Sequence, residues 1–177
     1  MRLDPATTLL CVIDIQERLL AVMPDAERVV ARSQRLATAA GLLGVRTILT
    51  EQYPKGLGRT PPTLAAHLPP PIEKTSFSCH GCGPFRDAIP AGTAGIVLCG
   101  LETHVCIAQT ALDLLAEGHG VFLAVDAVAS RHPIDHDIGL RRLEAAGVIL
   151  TTTEAVLFEW CRTAEHPQFK SVRGLLA

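Results

Sequence analysis

The sequence is poor in aromatic side chains and in charge of either sign. Phe, Trp and Tyr together make up 4% of its 177 residues, whereas apolar residues as a whole make up 48%. The predicted core therefore consists mainly of Leu, Val, Ile and Ala side chains. The net charge is −2, so the basic excess with which nucleic-acid-binding proteins contact phosphates is lacking. We therefore expect no nucleic-acid partner.

Long hydrophobic runs are absent as well. No stretch approaches the roughly 20 consecutive apolar residues of a membrane-spanning helix, so no membrane partner is expected. Residues 1–8 carry an arginine and an aspartate before a short apolar run. A signal peptide needs a longer apolar stretch and a small-residue cleavage site. These patterns predict a cytoplasmic protein.

The length favours one domain that spans residues 1–177. A domain of this size buries roughly 70% of the surface of its unfolded chain, so it needs no disulfides for stability. The chain has six cysteines, but it is not a short secreted scaffold, and reduced thiols are expected. Cys11 and Cys99 lie inside apolar runs, which predicts that they are small buried core residues.

Apolar runs alternate with helical patterns along the chain. The predicted strands are 8–13, 45–50, 94–99, 120–125 and 148–151, and the predicted helices are 25–43, 103–117, 134–146 and a last one from about residue 153. Continuous apolar strands indicate a sheet covered on both faces, and their alternation with helices indicates parallel pairing. We therefore predict a three-layer α/β/α sandwich with five or six parallel strands. The Pro- and Gly-rich loop 53–71 is long enough to be functional or mobile.

Several polar residues follow the predicted strands directly. Asp14 follows the first strand, Glu51 and Gln52 follow the second, residues 100–106 follow the central one, and Asp126 follows the next. Open parallel sheets bind their ligands outside the carboxyl ends of the strands. We therefore expect these residues to converge at one edge of the sheet.

Cys106 is the strongest candidate nucleophile. It lies at a strand-to-helix turn, where the positive end of the helix dipole favours a thiolate. Backbone amides at such a turn can also stabilise an oxyanion. The alternative is an inert cysteine buried at a helix start.

Asp14 and Lys74 are the candidate partners of this thiol. A carboxylate at the end of a strand is either catalytic or a cap for the next segment. A lysine after a proline run is commonly a solvated surface residue. Together with Cys106, however, the carboxylate can accept the thiol proton and the ammonium can favour the thiolate.

A CxxC pair at Cys79 and Cys82 offers a competing redox or metal function. A redox pair normally opens a helix after a strand, whereas Gly81, Gly83 and Pro84 crowd this motif. A structural zinc site needs two further ligands, and none is obvious at a matching spacing. We therefore predict no metal site.

The histidines form no metal-binding pattern. His132 and His136 are four positions apart, but a proline lies between them and the stretch is predicted to be an exposed helix start. His104 precedes Cys106 by two positions and could act as its general base. Residues two apart on a helix do not face each other, so the first-strand aspartate is the preferred base.

The motifs together resemble those of the isochorismatase-like cysteine hydrolases. Residues 100–106 (GLETHVC) are similar to the G-x-x-T-x-x-C segment around the family's nucleophile, and residues 12–16 (VIDIQ) are similar to its first-strand D-x-Q. Lys74 falls in order at the position of the family's lysine. Further similarity lies at 125–127 and 130–131, and with the subgroup of isochorismatase domain-containing proteins at 51–58 and 166–170.

The resemblance implies an Asp14–Lys74–Cys106 triad and a Rossmann-like six-stranded parallel sheet. It also implies that a small-molecule amide or ureide C–N bond is cleaved through a thioester, with no cofactor. A cis peptide would fall at Leu101–Glu102, and the amides of Glu102 and Cys106 would form the oxyanion hole. The implied substrate pocket comprises Ile15, Gln16, Gln52, Tyr53, Phe77, Glu102 and Thr103.

Two departures narrow the expected activity. Isochorismatase proper lacks the cysteine and cleaves a vinyl ether, so Cys106 argues against that substrate. Nicotinamidases of the superfamily hold a metal through an aspartate and histidines after the second strand, and residues 51–56 contain no histidine. The alternative to an enzyme is a weakly active or inactive scaffold on the same fold.

Self-association is the last expectation. Charged residues make up 19% of the chain and the mean hydropathy is +0.28. Residues 155–160 (AVLFEW) form an apolar segment near the C-terminus. Extended apolar surface marks interaction sites, so we predict a homo-oligomer.

Overall fold

The computed structural model describes residues 1–176, within which six strands pair in one parallel sheet. The strand order is β3-β2-β1-β4-β5-β6, with β1 at Thr8–Ile13, β2 at Arg46–Gln52, β3 at Ile72–Lys74, β4 at Gly95–Leu101, β5 at Gly120–Ala129 and β6 at Ile149–Thr151. The carboxyl ends of these strands therefore share one edge of the sheet.

Helices follow the strands and cover both faces of the sheet. They are α1 Glu17–Leu20, α2 Ala26–Leu43, α3 Pro54–Leu57, α4 Pro62–Ala65, α5 Gly83–Ala88, α6 Ala108–Ala116, α7 Pro133–Ala145, α8 Thr153–Cys161 and α9 Phe169–Gly174. Short 3₁₀ turns lie at Pro5–Thr7 and Cys79–Gly81, and a π-helical segment lies at Thr103–Ile107. Among the helices of residues 1–176, none combines the length and the apolar character that a bilayer crossing requires.

Side chains of β1 alternate between two separate hydrophobic clusters. Leu10 and Val12 pack in the cluster that contains the buried residues of α2 and α8. Leu9, Cys11 and Ile13 pack in the cluster that contains those of α6. Because successive side chains of a strand point to opposite faces, a strand with helices on both sides is apolar at every position. The predicted three-layer sandwich with a parallel six-stranded sheet is confirmed.

The structure differs from the sequence prediction in several elements. The predicted loop 53–71 contains α3 and α4, and β3 follows it as an unpredicted strand. The predicted helix 103–117 begins as the π-helical segment before it continues as α6.

Asp126 does not follow a strand, contrary to expectation. It lies within β5, which extends four residues beyond the predicted 120–125, at a register shift against β4. Its carboxylate Oδ1 accepts bonds from the Thr153 amide (2.7 Å) and hydroxyl (3.0 Å). Asp126 therefore stabilises the first turn of α8 and takes no part in the predicted constellation.

The apolar segment 155–160 is not a surface patch. Val156, Leu157 and Trp160 are buried in the core, whereas Phe158 is 39% exposed. The segment belongs to α8, whose apolar side chains pack against the sheet. Contrary to expectation, this segment therefore offers little apolar surface for self-association.

Candidate active site

Asp14 occupies the turn that directly follows β1. Its backbone is left-handed, with φ of 52°, a conformation that a short polar residue such as aspartate tolerates better than most. The carboxylate is fully buried, and its Oδ1 accepts a hydrogen bond from the Thr50 hydroxyl at 2.7 Å. Thr50 pairs with Ile13 across β1 and β2, so the sheet register fixes this contact.

Lys74 ends β3 and carries its ammonium group to the same point. Its Nζ lies 2.7 Å from Asp14 Oδ2 and 2.7 Å from Gln52 Oε1. The Ser76 and Phe77 carbonyls also accept from it, each at 3.2 Å. An ammonium buried without partners would be strongly unfavourable, and here four oxygen atoms surround it.

The charge state of Lys74 follows from these surroundings. Burial lowers the pKa of the ammonium, but the Asp14 carboxylate raises it through its charge and its hydrogen bond, and the net shift is upward. Lys74 is therefore a fixed cation at neutral pH. The site thus contains one positive charge, on Lys74, next to the Asp14 carboxylate.

Cys106 lies in the π-helical segment that follows β4, and 6% of its surface is exposed. Burial raises the pKa of its thiol well above the usual range, and the Asp14 carboxylate raises it further, while Lys74 acts in the opposite direction. These influences favour the neutral thiol, in opposition to the helix dipole, which favours a thiolate. A direct side-chain hydrogen bond also joins the Cys106 thiol to the Asp14 carboxylate.

Gly100 allows β4 to approach β1 closely at this edge. Its φ is +124°, and a β-carbon on it would stand 1.9 Å from the carbonyl oxygen of Ile13. Only glycine fits such a contact. The next peptide bond, Leu101–Glu102, is cis, at the position that the family resemblance implies.

The turn that carries the candidate nucleophile, residues 102–107, forms hydrogen bonds with the segment 130–136. The contacts are Glu102 Oε1 with Arg131 N and Nε (3.0 Å each), Thr103 Oγ1 with His136 Nδ1 (2.9 Å), and His104 Nδ1 with Ser130 Oγ (2.9 Å). We name residues 102–107 the nucleophile turn, after the candidate nucleophile Cys106. The Nδ1 atom of His104 is thus engaged by Ser130.

The predicted substrate pocket is only partly open to solvent. Ile15, Gln16 and Thr103 have no exposed surface, so their placement on a pocket wall is corrected. Ile15 packs in the core. The Gln16 amide group donates to the carbonyls of Gln52 and Gly58 and accepts from the Gln52 backbone amide, so it links the two ends of the segment 52–58.

The remaining predicted pocket residues differ in exposure. Gln52 and Glu102 retain 8% and 7% of their surface, while Tyr53 and Phe77 are 54% and 55% exposed. A cavity of about 450 Å³ lies beside β3 and is lined by Tyr53, Pro54, Lys55, Glu73, Lys74, Thr75, Ser76, Gly81 and Cys82. Lys74 belongs to this lining and Cys106 does not, so the cavity adjoins the Lys74 side chain and does not reach the thiol.

Glu51, the acidic residue after the second predicted strand, is fully engaged by protein groups. Its carboxylate accepts from the Thr60 amide (2.7 Å), the Thr60 hydroxyl (2.9 Å) and Arg59 (2.8 Å). Burial raises the pKa of this carboxyl, but the bonds from Thr60 and Arg59 lower it by more. Across residues 1–176, no three His, Cys, Asp or Glu side chains are grouped to hold a metal ion.

The two sulfurs of the CxxC motif contact different groups. Cys79 is buried, and its Sγ lies 3.8 Å from the Thr50 hydroxyl, whereas Cys82 Sγ lies 4.0 Å from the Glu73 carbonyl. Burial raises the pKa of Cys79 to about 11, the opposite of what a reactive redox thiol needs. Cys79 nevertheless lies near enough to Cys106 to influence its pKa, although β4 separates the two residues in sequence.

Comparison with known proteins identifies relatives over the whole chain. The isochorismatase domain model matches residues 8–155. Isochorismatase domain-containing protein 2 of Bos taurus is 41% identical over 176 residues, which cover 99% of this chain and 85% of the relative. These matches confirm the resemblance seen in the motifs.

Solved structures share the fold closely. The MAR1 ribonuclease of Caenorhabditis elegans has a TM-score of 0.94 at 40% identity, with 99% of this chain and 92% of that chain covered. The YcaC gene product of Escherichia coli, described as an octameric hydrolase of unknown specificity, has a TM-score of 0.88 at 26% identity, with 99% and 95% covered.

The fold, the motif order and the match over residues 8–155 lead to one assignment. The first-strand aspartate, the lysine of β3 and the cysteine of the nucleophile turn occur in the order that the resemblance implies and meet at one edge of the sheet. This chain belongs to the isochorismatase domain family.

Proposed function

We propose that the chain is a cysteine hydrolase that cleaves a C–N bond of a small amide or ureide. The observation that carries the proposal is the buried ion pair of Lys74 with Asp14, 2.7 Å long, beside the Cys106 thiol. Perturbed titratable groups that gather at the ligand-binding edge of a sheet mark candidate catalytic sites. A purely structural role for the same residues, as a buried polar network, would not require a thiol at this point.

In the first half of the reaction, Asp14 accepts the proton of Cys106 as the sulfur attacks the substrate carbonyl carbon. The amides of Glu102 and Cys106 donate hydrogen bonds to the resulting oxyanion. The C–N bond then breaks, and the protonated Asp14 returns its proton to the leaving nitrogen. The product of this half is an amine or ammonia and a thioester on Cys106.

In the second half, water attacks the thioester carbonyl and Asp14 accepts a proton from it. The C–S bond breaks, the acid is released, and Cys106 regains its proton. Lys74 remains charged throughout, so its role is to stabilise the negative charge that passes between Asp14 and the sulfur. No step of this cycle requires a metal or a cofactor.

The proposal is tested by a screen of small amides, ureides and esters with the wild type and Cys106→Ala. Hydrolysis that needs Cys106, together with an acyl adduct mapped to the Cys106 peptide by mass spectrometry, would support it. Because one relative is named a ribonuclease, RNA is the competing substrate to include. RNA cleavage that depends on Cys106, or amide hydrolysis that survives its removal, would contradict the proposal.

We further propose that the chain works as a homo-oligomer. The E. coli relative is described as octameric, and large apolar side chains are exposed in this chain at Tyr53, Phe77, Ile134 and Ile138. Apolar surface of this kind is commonly covered by a partner subunit. Light scattering at micromolar concentration should give a multiple of the 18.9 kDa chain mass, and a monomer would contradict the proposal.

A further inference from the structure

We propose that His136 is a positioning residue for Cys106 and acts through Thr103. The inference rests on the proposed function, in which Cys106 is the nucleophile. His136 lies on α7, thirty positions beyond the thiol in sequence, yet its Nδ1 is 2.9 Å from Thr103 Oγ1. Thr103 opens the same π-helical segment in which Cys106 lies.

The burial of Thr103 makes this contact important. Thr103 has no exposed surface, so its hydroxyl cannot turn to bulk water when a partner is removed. A buried hydroxyl without a partner is unfavourable, and the backbone that carries it shifts to find one. Any such shift moves the nucleophile turn, because Thr103 is three positions before Cys106 on one turn of helix.

The backbone of α7 packs directly against the same turn. A β-carbon on Gly139 would lie 3.3 Å from the Thr103 methyl and 3.3 Å from His104 Cα. The helix is thus in close contact with the turn, and His136, one turn earlier on α7, adds a directed hydrogen bond to this packing. Packed elements of this kind transmit displacement because the interior has little free volume.

His136 is suited to this role because it is uncharged at neutral pH. Burial lowers its pKa, and the Arg28 guanidinium lowers it further, while Asp137 and Asp25 act in the opposite direction with a smaller effect. A neutral imidazole has one ring nitrogen that accepts and one that donates, so Nδ1 can form a single directed bond with the Thr103 hydroxyl.

The test compares His136→Ala and His136→Asn with His132→Ala as the matched control. His132 is exposed at the start of the same helix and makes no side-chain cap bond. The asparagine amide can replace the bond at the Nδ1 position, whereas alanine cannot. Unfolding midpoints of all variants are measured alongside, so that a loss of fold is recognised.

Two readouts separate positioning from a general structural effect. With the best substrate, His136→Ala should lower kcat on the order of 10- to 100-fold with little change in KM, and His136→Asn should recover most of that loss. The pH dependence of Cys106 alkylation by iodoacetamide should shift downward in His136→Ala, because the thiol moves away from the Asp14 carboxylate that raises its pKa. His132→Ala should match the wild type in both.

The outcomes distinguish this inference from the proposed function. If Cys106→Ala retains turnover but His136→Ala still shifts the alkylation profile, the proposed function fails and the positioning stands. If both His136 variants alkylate and turn over as the wild type does, the positioning role is overturned. A His136→Asn variant as impaired as His136→Ala, while folded, would also overturn it.

Discussion

The Asp14 carboxylate and the Lys74 ammonium meet at 2.7 Å, and neither side chain has any solvent-exposed surface. They come from positions 60 residues apart in sequence: Asp14 directly follows β1 and Lys74 ends β3, and β2 lies between these two strands in the sheet. A buried pair of this kind adds little net stability, but the loss of one partner leaves an uncompensated charge in the interior. Replacement of the carboxylate and replacement of the ammonium should therefore shift the pKa of the nearby Cys106 thiol in opposite directions.

Replacement of Asp14 by Asn should abolish most turnover and yet make the Cys106 thiol more acidic. The amide cannot accept the thiol proton, and the loss of a general base typically costs on the order of 10²- to 10⁴-fold in rate. The carboxylate raises the pKa of Cys106 and Lys74 lowers it, so without Asp14 the pKa should fall. The pH dependence of iodoacetamide alkylation measures this directly, and an unchanged or higher midpoint would count against the assigned electrostatics.

Replacement of Lys74 by Met should have the opposite effect on the thiol and a large effect on stability. The pKa of Cys106 should rise further, because the cation that lowers it is lost. The Asp14 carboxylate would remain buried without its partner, which typically lowers the free energy of unfolding by about 3–5 kcal/mol. Urea titration measures the loss, and the double variant with Asp14→Asn should recover part of it. No recovery would show that the pair is not the source.

Replacement of Cys106 by Ala should remove hydrolysis while the fold survives. The residue is small and lies at the edge of its hydrophobic cluster with 6% exposure, so the cost in unfolding free energy should remain near the typical value of about 1 kcal/mol. Cys106→Ser is the control for the loss of sulfur without loss of the hydrogen-bonding group. Turnover within tenfold of the wild type in either variant would contradict the role of the thiol.

Removal of divalent metal ions should leave turnover unchanged. The carboxylate of Glu51, the acidic residue near the end of β2, is already engaged by Thr60 and Arg59. In the proposed mechanism, the thiol, its base and the oxyanion hole supply the nucleophile and the charge stabilisation without a Lewis acid. The measurement is the rate after dialysis against a strong chelator, and a loss that zinc restores would overturn the prediction.

Much of the fold could be predicted because apolar runs mark strands buried on both faces. The first strand was predicted at its observed bounds, Thr8–Ile13, and α2 ends where Gly44 adopts φ of +71°. β3 was missed because its three residues include an exposed glutamate and follow a proline run. β5 was cut short because Asp126 interrupts the apolar run at a bulge, which only the pairing with β4 reveals.

The reactive groups of the candidate site could be predicted from the sequence, but the hydrogen bonds that hold them in place could not. Asp14, Lys74 and Cys106 could be chosen from residue type and order along the chain. The bond from Thr50 to Asp14 depends on the register of β1 with β2, and that from His136 to Thr103 depends on how α7 packs. Neither contact leaves a local sequence signal, because partners so far apart are brought together only by the complete sheet.

Lys74 lies at the end of an edge strand, β3, whereas the other residues of the candidate site follow central strands. Asp14 and the nucleophile turn follow β1 and β4, which have a neighbouring strand on each side, whereas β3 pairs with β2 alone among the strands of residues 1–176. Edge elements open locally at lower free energy than the centre of a sheet, so the β3 amides should exchange their hydrogens before those of β1. Each such opening moves the Lys74 ammonium away from the Asp14 carboxylate. On heating, turnover should therefore be lost at a lower temperature than that at which most of the sheet unfolds.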